Sequence, residues 1–405
     1  MEKINVGIVG YGKRGVGNLK TVMAMEDINI IAVCDVYEDR AENAAKAVVD
    51  AGRKEPLKFT DYKDVLKCEE VNTVLVFSSW ESHVSIAIEA MKAGKAVGME
   101  VGGAYDINEC FELVETWEET RVPFMMLENC CFGKKELLAL NLVRAGKFGD
   151  VVYCHGAYAH DLRKEITCGK ENRHYRLENY KNRNCENYPT HELGPIAKIL
   201  DINRGNKMNR LVSVASKSMG LKKYINDRKD TIQNKDLLNT EFKQADIVDT
   251  LITCENGETI SLRLDTTLPR SYSREFTVRG TNGMFDETTN SVFIDGDTEF
   301  FETEKYSALA LNSADRFYYN YLPEYWKNIT QEEIERGHGG MDVYSFRTFF
   351  DCLKKGLEMP VDVYDAASWM AITPLSEESI KTGLPVEIPD FTKGKWKNRE
   401  RNDIV

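Results

Sequence analysis

An apolar strand from Lys3 to Val9 runs straight into Gly10-Tyr11-Gly12-Lys13-Arg14-Gly15, and a helical stretch follows to about Met25. A second apolar strand, Ile28 to Cys34, ends on Asp35. Glycines at this spacing allow a tight turn, let a pyrophosphate approach the backbone, and let the helix pack close to the strand. The helix N-terminus then faces the phosphate charge. A strand, a glycine turn, a helix and a strand ending in an acid together leave little choice: the chain must begin as a βαβ unit on a parallel sheet.

The alternation continues. Helix is expected over Ala41–Ala51, strand over Thr73–Phe77, helix over Ser82–Ala93 with Ser82 as a fitting N-cap, strand over Ala96–Met99, and helix over Asn108–Glu119. A last strand, Pro123–Met126, closes a first domain spanning 1–127. The second half, 128–405, reads differently. Extended runs at Val151–His160, Leu211–Lys217, Ile247–Cys254, Thr259–Asp265, Phe276–Arg279 and Ser291–Ile294 surround Glu255-Asn256-Gly257-Glu258, a hairpin signal. Helices are expected over Lys135–Ala145, Glu192–Leu200 and Tyr344–Lys355. The fold class is therefore α/β: an N-terminal dinucleotide-binding domain, then an α/β domain with a large, mostly antiparallel open sheet. The polar tail from Lys393 to Val405 reads as extended or loosely packed.

A net charge of −12 without a Lys/Arg block argues against nucleic acid or an anionic membrane as partner. No apolar run reaches the roughly 18 residues of a membrane span, and Met1 leads into the first strand with no room for a signal peptide. The ten cysteines include no Cys-x-x-Cys pair, so no metal site is expected. Spread thinly, they read as reduced thiols in the cytoplasm.

Gly10, Gly12 and Gly15 are the expected pyrophosphate turn, with Lys13 and Arg14 offering cationic contacts. Asp35 is expected to accept from a ribose 2′-hydroxyl, favouring NAD over NADP; a solvated strand end is the plainer reading. Trp80 and His83, in Ser78-Ser79-Trp80-Glu81-Ser82-His83, and Glu100 stand where strands end. This is the carboxyl edge at which open α/β sheets bind ligands, so all three are expected to contact the cofactor; the plainer readings are core packing for Trp80 and a helix cap for Glu100.

With these residues in view, the chain resembles the Gfo/Idh/MocA oxidoreductases, which join a Rossmann domain to an open-sheet α/β domain. That family usually carries Glu-Lys-Pro where this chain has Glu100-Val101-Gly102, so the customary lysine base is missing. The sequence is more specifically similar to glycoside hydrolase family 109, the NAD-dependent α-N-acetylgalactosaminidases. Met125-Met126-Leu127-Glu128-Asn129-Cys130-Cys131, Gly156-Ala157-Tyr158-x-His160-Asp161-Leu162-Arg163 and Pro269-Arg270-x-Tyr272-Ser273-Arg274 match it. So do Tyr188-Pro189-Thr190-His191 with Leu193-Gly194-Pro195, Asp201-Ile202-Asn203-Arg204-Gly205, and Gly337-His338-Gly339-Gly340-Met341-Asp342. The chain departs from that pattern at Asn184-Cys185-Glu186-Asn187, at Glu192 where a glycine is usual, and at His174-Tyr175-Arg176-Leu177.

The resemblance implies a site with His191, Tyr188 and Tyr272 as catalytic groups and Glu128, Tyr158 and His160 as sugar contacts. It also implies net hydrolysis of N-acetylhexosaminides by transient oxidation at C3 with NAD, elimination of the C1 group, water addition and re-reduction. Such a route needs no flanking carboxylate pair. Histidine, with an ordinary pKa of about 6.5, suits proton exchange at neutral pH; a tyrosine, at about 10, ionises there only beside a cation or metal. Which residue performs which step stays open. The alternatives are an NAD-dependent sugar or polyol dehydrogenase of the wider family, and a non-catalytic sugar or nucleotide sensor. An exposed face on the second sheet implies a homodimer or homotetramer.

Overall fold

The computed structural model describes residues 4–296 and 312–404. It falls into two compact units. The first takes the chain up to Phe132, together with Asn328–Ala367 and Asn402–Ile404; the second takes Gly133–Lys327 and Ser368–Arg401. The Rossmann sheet ends where a cut after residue 127 would fall, but its unit also takes in a forty-residue segment from far down the chain.

The first unit is built on β1 (Ile4–Val9), β2 (Ile28–Cys34), β3 (Leu57–Phe59), β4 (Thr73–Val76), β5 (Ala96–Met99) and β6 (Phe124–Met126). They form one parallel sheet in the order β3-β2-β1-β4-β5-β6. β4 and β5 are buried at every position, because helices cover both faces. Between β1 and β4 the strand order reverses, and a crevice opens there at the carboxyl ends. The glycine turn and Ser78–His83 both emerge at that point.

The second unit carries β7 (Val151–Ala159), β8 (Met208–Ala215), β9 (Ile247–Cys254), β10 (Thr259–Asp265), β11 (Thr277–Gly280), β12 (Gly283–Asp286), β13 (Ser291–Ile294) and β14 (Val386–Glu387). Their order is β13-β12-β11-β7-β10-β9-β8-β14. Every pairing is antiparallel except β7 with β10. One face is apolar and covered: the helix Thr190–Ile199 packs on β7 and Ile372–Thr382 on β8. The other face carries Asp249, Leu251, Ser261 and Arg263, with Asp249 and Arg263 bonded across the strands at 2.7 Å.

Two expectations are corrected. Ser82 lies inside the helix Trp80–Lys92, whose N-cap is Ser79. The tail is packed rather than loose: Trp396 and Ile404 are buried, and Arg401 forms a bidentate pair with Asp201 in the second unit. No helix among the described residues is long and apolar enough to cross a membrane.

Candidate active site

In the first unit the three glycines have different physical reasons. Gly10 has φ +101°, and a Cβ there would lie 2.6 Å from the Phe77 carbonyl. A Cβ on Gly15 would lie 2.2 Å from the Gly10 oxygen. These two are demanded by the fold. Gly12 is not: its nearest would-be neighbour is Arg40 at 3.6 Å, an ordinary contact. A bare backbone at the N-cap of the helix Lys13–Met23, with space in front of it, is a cradle for an approaching phosphate.

Asp35 is not a solvated strand end. It is buried and accepts from the backbone N–H of Tyr11 at 2.7 Å and of Tyr37 at 3.0 Å. Its carboxylate thus holds the glycine turn against the end of β2 and keeps acceptor capacity for a ribose hydroxyl. Lys13 is exposed beside the turn. Arg14 differs from its expected use as a cationic contact. Its Nε donates to Glu100 at 2.9 Å, and its two terminal nitrogens donate to Asp342 at 2.7 and 2.8 Å. Asn18 also donates to Glu100, at 2.8 Å, and Asn129 to Asp342, at 2.7 Å. Burial alone would raise the Asp342 pKa, but the Arg14 charge and hydrogen bonds, with His338, hold it far below the usual carboxylate range. His338 stands in a run of four positive-φ residues, Gly337 to Gly340, and its Nδ1 lies 3.0 Å from Asp342. Sequence reasoning missed this network because Arg14 and Asp342 are separated by almost the whole chain.

Trp80 and His83 are buried, and a Cβ on Gly102 would strike both, at 2.4 and 2.9 Å. Among the described residues neither ring nitrogen of His83 has a hydrogen-bond partner, and burial pushes its pKa down to about 4. A neutral imidazole with two unanswered polar atoms is costly unless a ligand answers them. Together with the open cradle at Gly12, it fits a dinucleotide. Glu128 belongs to this unit too; it is buried, and its Oε1 accepts from the Cys130 N–H at 3.0 Å.

In the second unit the structure brings five of the expected residues into one cluster. Tyr158 ends β7 with its ring 4.5 Å from Tyr188, 5.7 Å from His191 and 6.0 Å from His160. Tyr188 and His191 are edge-to-face at 4.7 Å, and His160 meets Tyr272 at 5.2 Å. Strand alternation puts Tyr158 and His160 on one side. Pro189 caps the helix Thr190–Ile199, so Tyr188 and His191 flank a helix N-terminus. Tyr272 lies in the loop between β10 and β11 and is 49% exposed, which makes it the rim of the cluster.

The member that sequence reasoning missed as a site residue is Arg176, noticed only as a departure. It is buried, with its guanidinium carbon 4.9 Å from the Tyr188 ring and 5.9 Å from the Tyr158 ring. Glu165 lies 3.0 Å from its Nε. Burial opposes the Arg176 charge, but the tyrosine oxygens and Glu165 outweigh it and hold the group firmly cationic. Burial pushes the Tyr158 hydroxyl up to about 12, the cation offsetting only part of the rise. Tyr158 therefore stays a donor at neutral pH.

A glycine-turn Rossmann unit and a unit presenting an imidazole–phenol cluster beside a buried guanidinium define an NAD-binding protein of oxidoreductase architecture. Residues 4–128 match the oxidoreductase family with an NAD-binding Rossmann fold, and residues 132–398 match the C-terminal domain of glycosyl hydrolase 109. The chain belongs to glycosyl hydrolase family 109. It is 34% identical to a glycosyl hydrolase family 109 protein of Stenotrophomonas maltophilia, over 98% of this chain and 91% of that one. It is 33% identical to an α-N-acetylgalactosaminidase of Shewanella oneidensis, over 100% and 88%. Among solved structures, a levoglucosan dehydrogenase in complex with NADH and levoglucosan has a TM-score of 0.70 at 18% identity, over 96% of this chain and 100% of that one. The myo-inositol 2-dehydrogenase of Lactobacillus plantarum has 0.65 at 15%, over 96% and 100%. These last likenesses concern the fold alone.

Proposed function

We propose that the protein is an NAD-dependent glycosidase acting on N-acetylhexosaminides, α-N-acetylgalactosaminides foremost. The observation that carries this is the cluster of Tyr158, His160, Tyr188, His191 and Tyr272 around the Arg176 cation. Its proton-exchanging groups are imidazoles and phenols. Glu165, the carboxylate beside the buried guanidinium, is paired with Arg176. A carboxylate-pair glycosidase instead needs two acids set about 5 Å or more apart across the bond.

NAD, when bound, supplies a reversible hydride acceptor for the sugar C3. The chain's own groups handle protons. His191 and Tyr188 take and return them at the C2 and C3 positions, and Arg176 lowers the cost of a phenolate at Tyr188. Arg176 and the helix N-terminus also stabilise negative charge on a developing enolate oxygen. Tyr158, held protonated, donates to a sugar oxygen, and His160 and Tyr272 line the rim. In the first unit, Gly12 and Asp35 would hold pyrophosphate and ribose.

Ten free cysteines fit a reducing cytoplasm. The sheet face bearing Leu251 at 53% exposure and Val214 at 65% suits a second copy of the chain, as a homodimer or homotetramer.

Purified protein should release the aglycone from an aryl α-N-acetylgalactosaminide with no cofactor added and without accumulating NADH. In deuterated water the sugar should carry deuterium at C2. Stoichiometric NADH with no hydrolysis would instead make it a dissociable sugar dehydrogenase.

A further inference from the structure

Tyr272 is half-exposed, but its backbone and its hydroxyl are each held by buried or bonded groups behind it. It stands in the segment 270–275 between β10 and β11. Arg270 clasps that segment, donating to Asp265 at 2.6 Å and to Glu275 at 2.8 Å. Ser273 and Ala159 exchange backbone hydrogen bonds at 3.0 and 3.2 Å, and the Arg274 carbonyl accepts from the Ala157 N–H at 2.6 Å. The segment is thereby laid along the end of β7, beside Tyr158 and His160. These bonds fix the backbone at Tyr272. They leave its side-chain torsions open, and an exposed side chain ordinarily moves among rotamers.

Arg274 supplies the missing constraint. It is 8% exposed; its Nε donates to Glu136 Oε1 at 2.7 Å, and its Nη2 pairs with the same oxygen. Glu136, 2% exposed, stands in the first turn of the helix Lys134–Arg144, where the helix dipole favours a carboxylate. The third nitrogen, Nη1, donates to the Tyr272 hydroxyl at 3.3 Å. The guanidinium carbon lies 6.0 Å from the centre of the Tyr272 ring, and the His160 ring meets that ring edge-to-face at 5.2 Å. A guanidinium is planar and rigid, so anchoring two of its nitrogens on a buried carboxylate sets where the third one points. It also carries no acceptor. The Tyr272 oxygen therefore receives from Arg274 and donates its own hydrogen in another direction. Receiving from a cation polarises the O–H bond and makes it a stronger donor.

We propose that Glu136 and Arg274 form a fork that holds the Tyr272 hydroxyl in the orientation from which it donates to the bound sugar. Arg274 is a positioning residue acting through Tyr272, and Glu136 acts through Arg274. Their effect on turnover rests on the glycosidase reading above. An ion pair that served the fold alone would have no use for the third nitrogen, which reaches out of the buried pair to the one half-exposed ring of the cluster.

Arg274→Lys separates the two roles. An ammonium keeps the charge pair with Glu136, but as a single point charge it lacks the fork that also reaches the hydroxyl. The experiment compares wild type, Arg274→Lys, Tyr272→Phe and the variant carrying both changes, by kinetics on an aryl α-N-acetylgalactosaminide, thermal melts and crystallography. Each single variant should have kcat/KM roughly tenfold or more below wild type, the scale of one lost hydrogen bond to a charged group. The variant with both changes should be no slower than Tyr272→Phe. All should melt close to wild type. In crystals of Arg274→Lys the Tyr272 ring should leave its place beside His160 or spread over several rotamers, with the backbone of 270–275 unmoved. Should Arg274→Lys fail to fold, Glu136→Leu with Arg274→Met removes both charges together, leaving no unpaired buried charge, and takes its place in each comparison. Losses that multiply when Arg274→Lys and Tyr272→Phe are combined, or a Tyr272 ring unmoved in the crystals, overturn the fork. Absence of hydrolysis by wild type would count against the glycosidase reading alone, because the crystals test the fork without turnover.

Discussion

Asp35 shows how much a single residue carries in this chain, and how far it was readable. Its place, some twenty residues after the glycine turn, marked it as a ribose acceptor. That it also binds the N–H groups of Tyr11 and Tyr37 is a matter of backbone geometry, which spacing does not encode. Asp35→Ala should thus weaken NAD twice over, by losing the ribose bond and by loosening the turn. Each loss is on the order of 1–3 kcal/mol for a charged hydrogen bond, so titration calorimetry should find NAD affinity down by roughly 30-fold or more. Unchanged NAD retention would refute the assignment. Arg176 is the opposite case. Tyr188 and His191 were legible from their motif, but the cation that makes a tyrosine useful there comes from a separate helix, Arg176–Asn182. Arg176→Met should cut kcat by roughly 10²-fold or more, the scale of a lost charge stabiliser, while NAD stays bound. Near-normal kcat in that variant would reduce the guanidinium to packing.

At the scale of elements, what was legible depended on whether the deciding interactions were local. Apolar strands bounded by turns and helices stopped by glycine were readable, and β2, β5, β9, β10 and β13 lie where their residues placed them. Short edge strands such as β3 and β14 were not, having too few residues for a period to emerge. Nor was the parallel pairing of β7 with β10, in which Tyr158 sits beside Leu264. Strand alternation is the same for either direction of pairing, so only tertiary packing decides it. The glycine turn offers a sharper test of local reasoning, since one motif mixes two causes. Gly15→Ala drives a methyl into the Gly10 carbonyl at 2.2 Å, where only backbone could yield. Gly12→Ala meets nothing closer than 3.6 Å. The first variant should lose melting temperature and soluble yield. The second should melt like wild type but hold NAD poorly, because its methyl fills the space a phosphate needs. A Gly12→Ala protein that retains NAD normally would remove the cradle argument; one that melts as poorly as Gly15→Ala would give Gly12 a structural role instead.

At the scale of the whole molecule, the chain does not divide by a single cut. It leaves the first unit after Phe132 and re-enters it at Asn328, and the returning segment brings Asp342 to Arg14. That return was hidden in the sequence, because Gly337–Asp342 reads as a loop until its partner is known. The left-handed run from Gly337 to Gly340 makes room for the Asp342 carboxylate, which would lie 2.2 Å from any Cβ on Gly337. Asp342 has its pKa lowered from the ordinary 3.8 despite burial, since Arg14 outweighs desolvation. Its contribution to stability is therefore complete above about pH 4 and fades as pH falls further, once the unfolded chain takes up a proton that the folded chain refuses. Asp342→Asn removes that titration and breaks the fastener. Losing one partner of a buried pair costs about 3–5 kcal/mol; with Arg14 one-third exposed and still bonded to Glu100, about 3 kcal/mol is expected. Urea titrations at pH 7 should register that loss, and the gap between wild type and variant should narrow between pH 4 and pH 2. A gap that stays constant as the pH is lowered would mean that the Asp342 charge adds nothing to its shape, and that the returning segment is held to the Rossmann sheet by apolar packing alone.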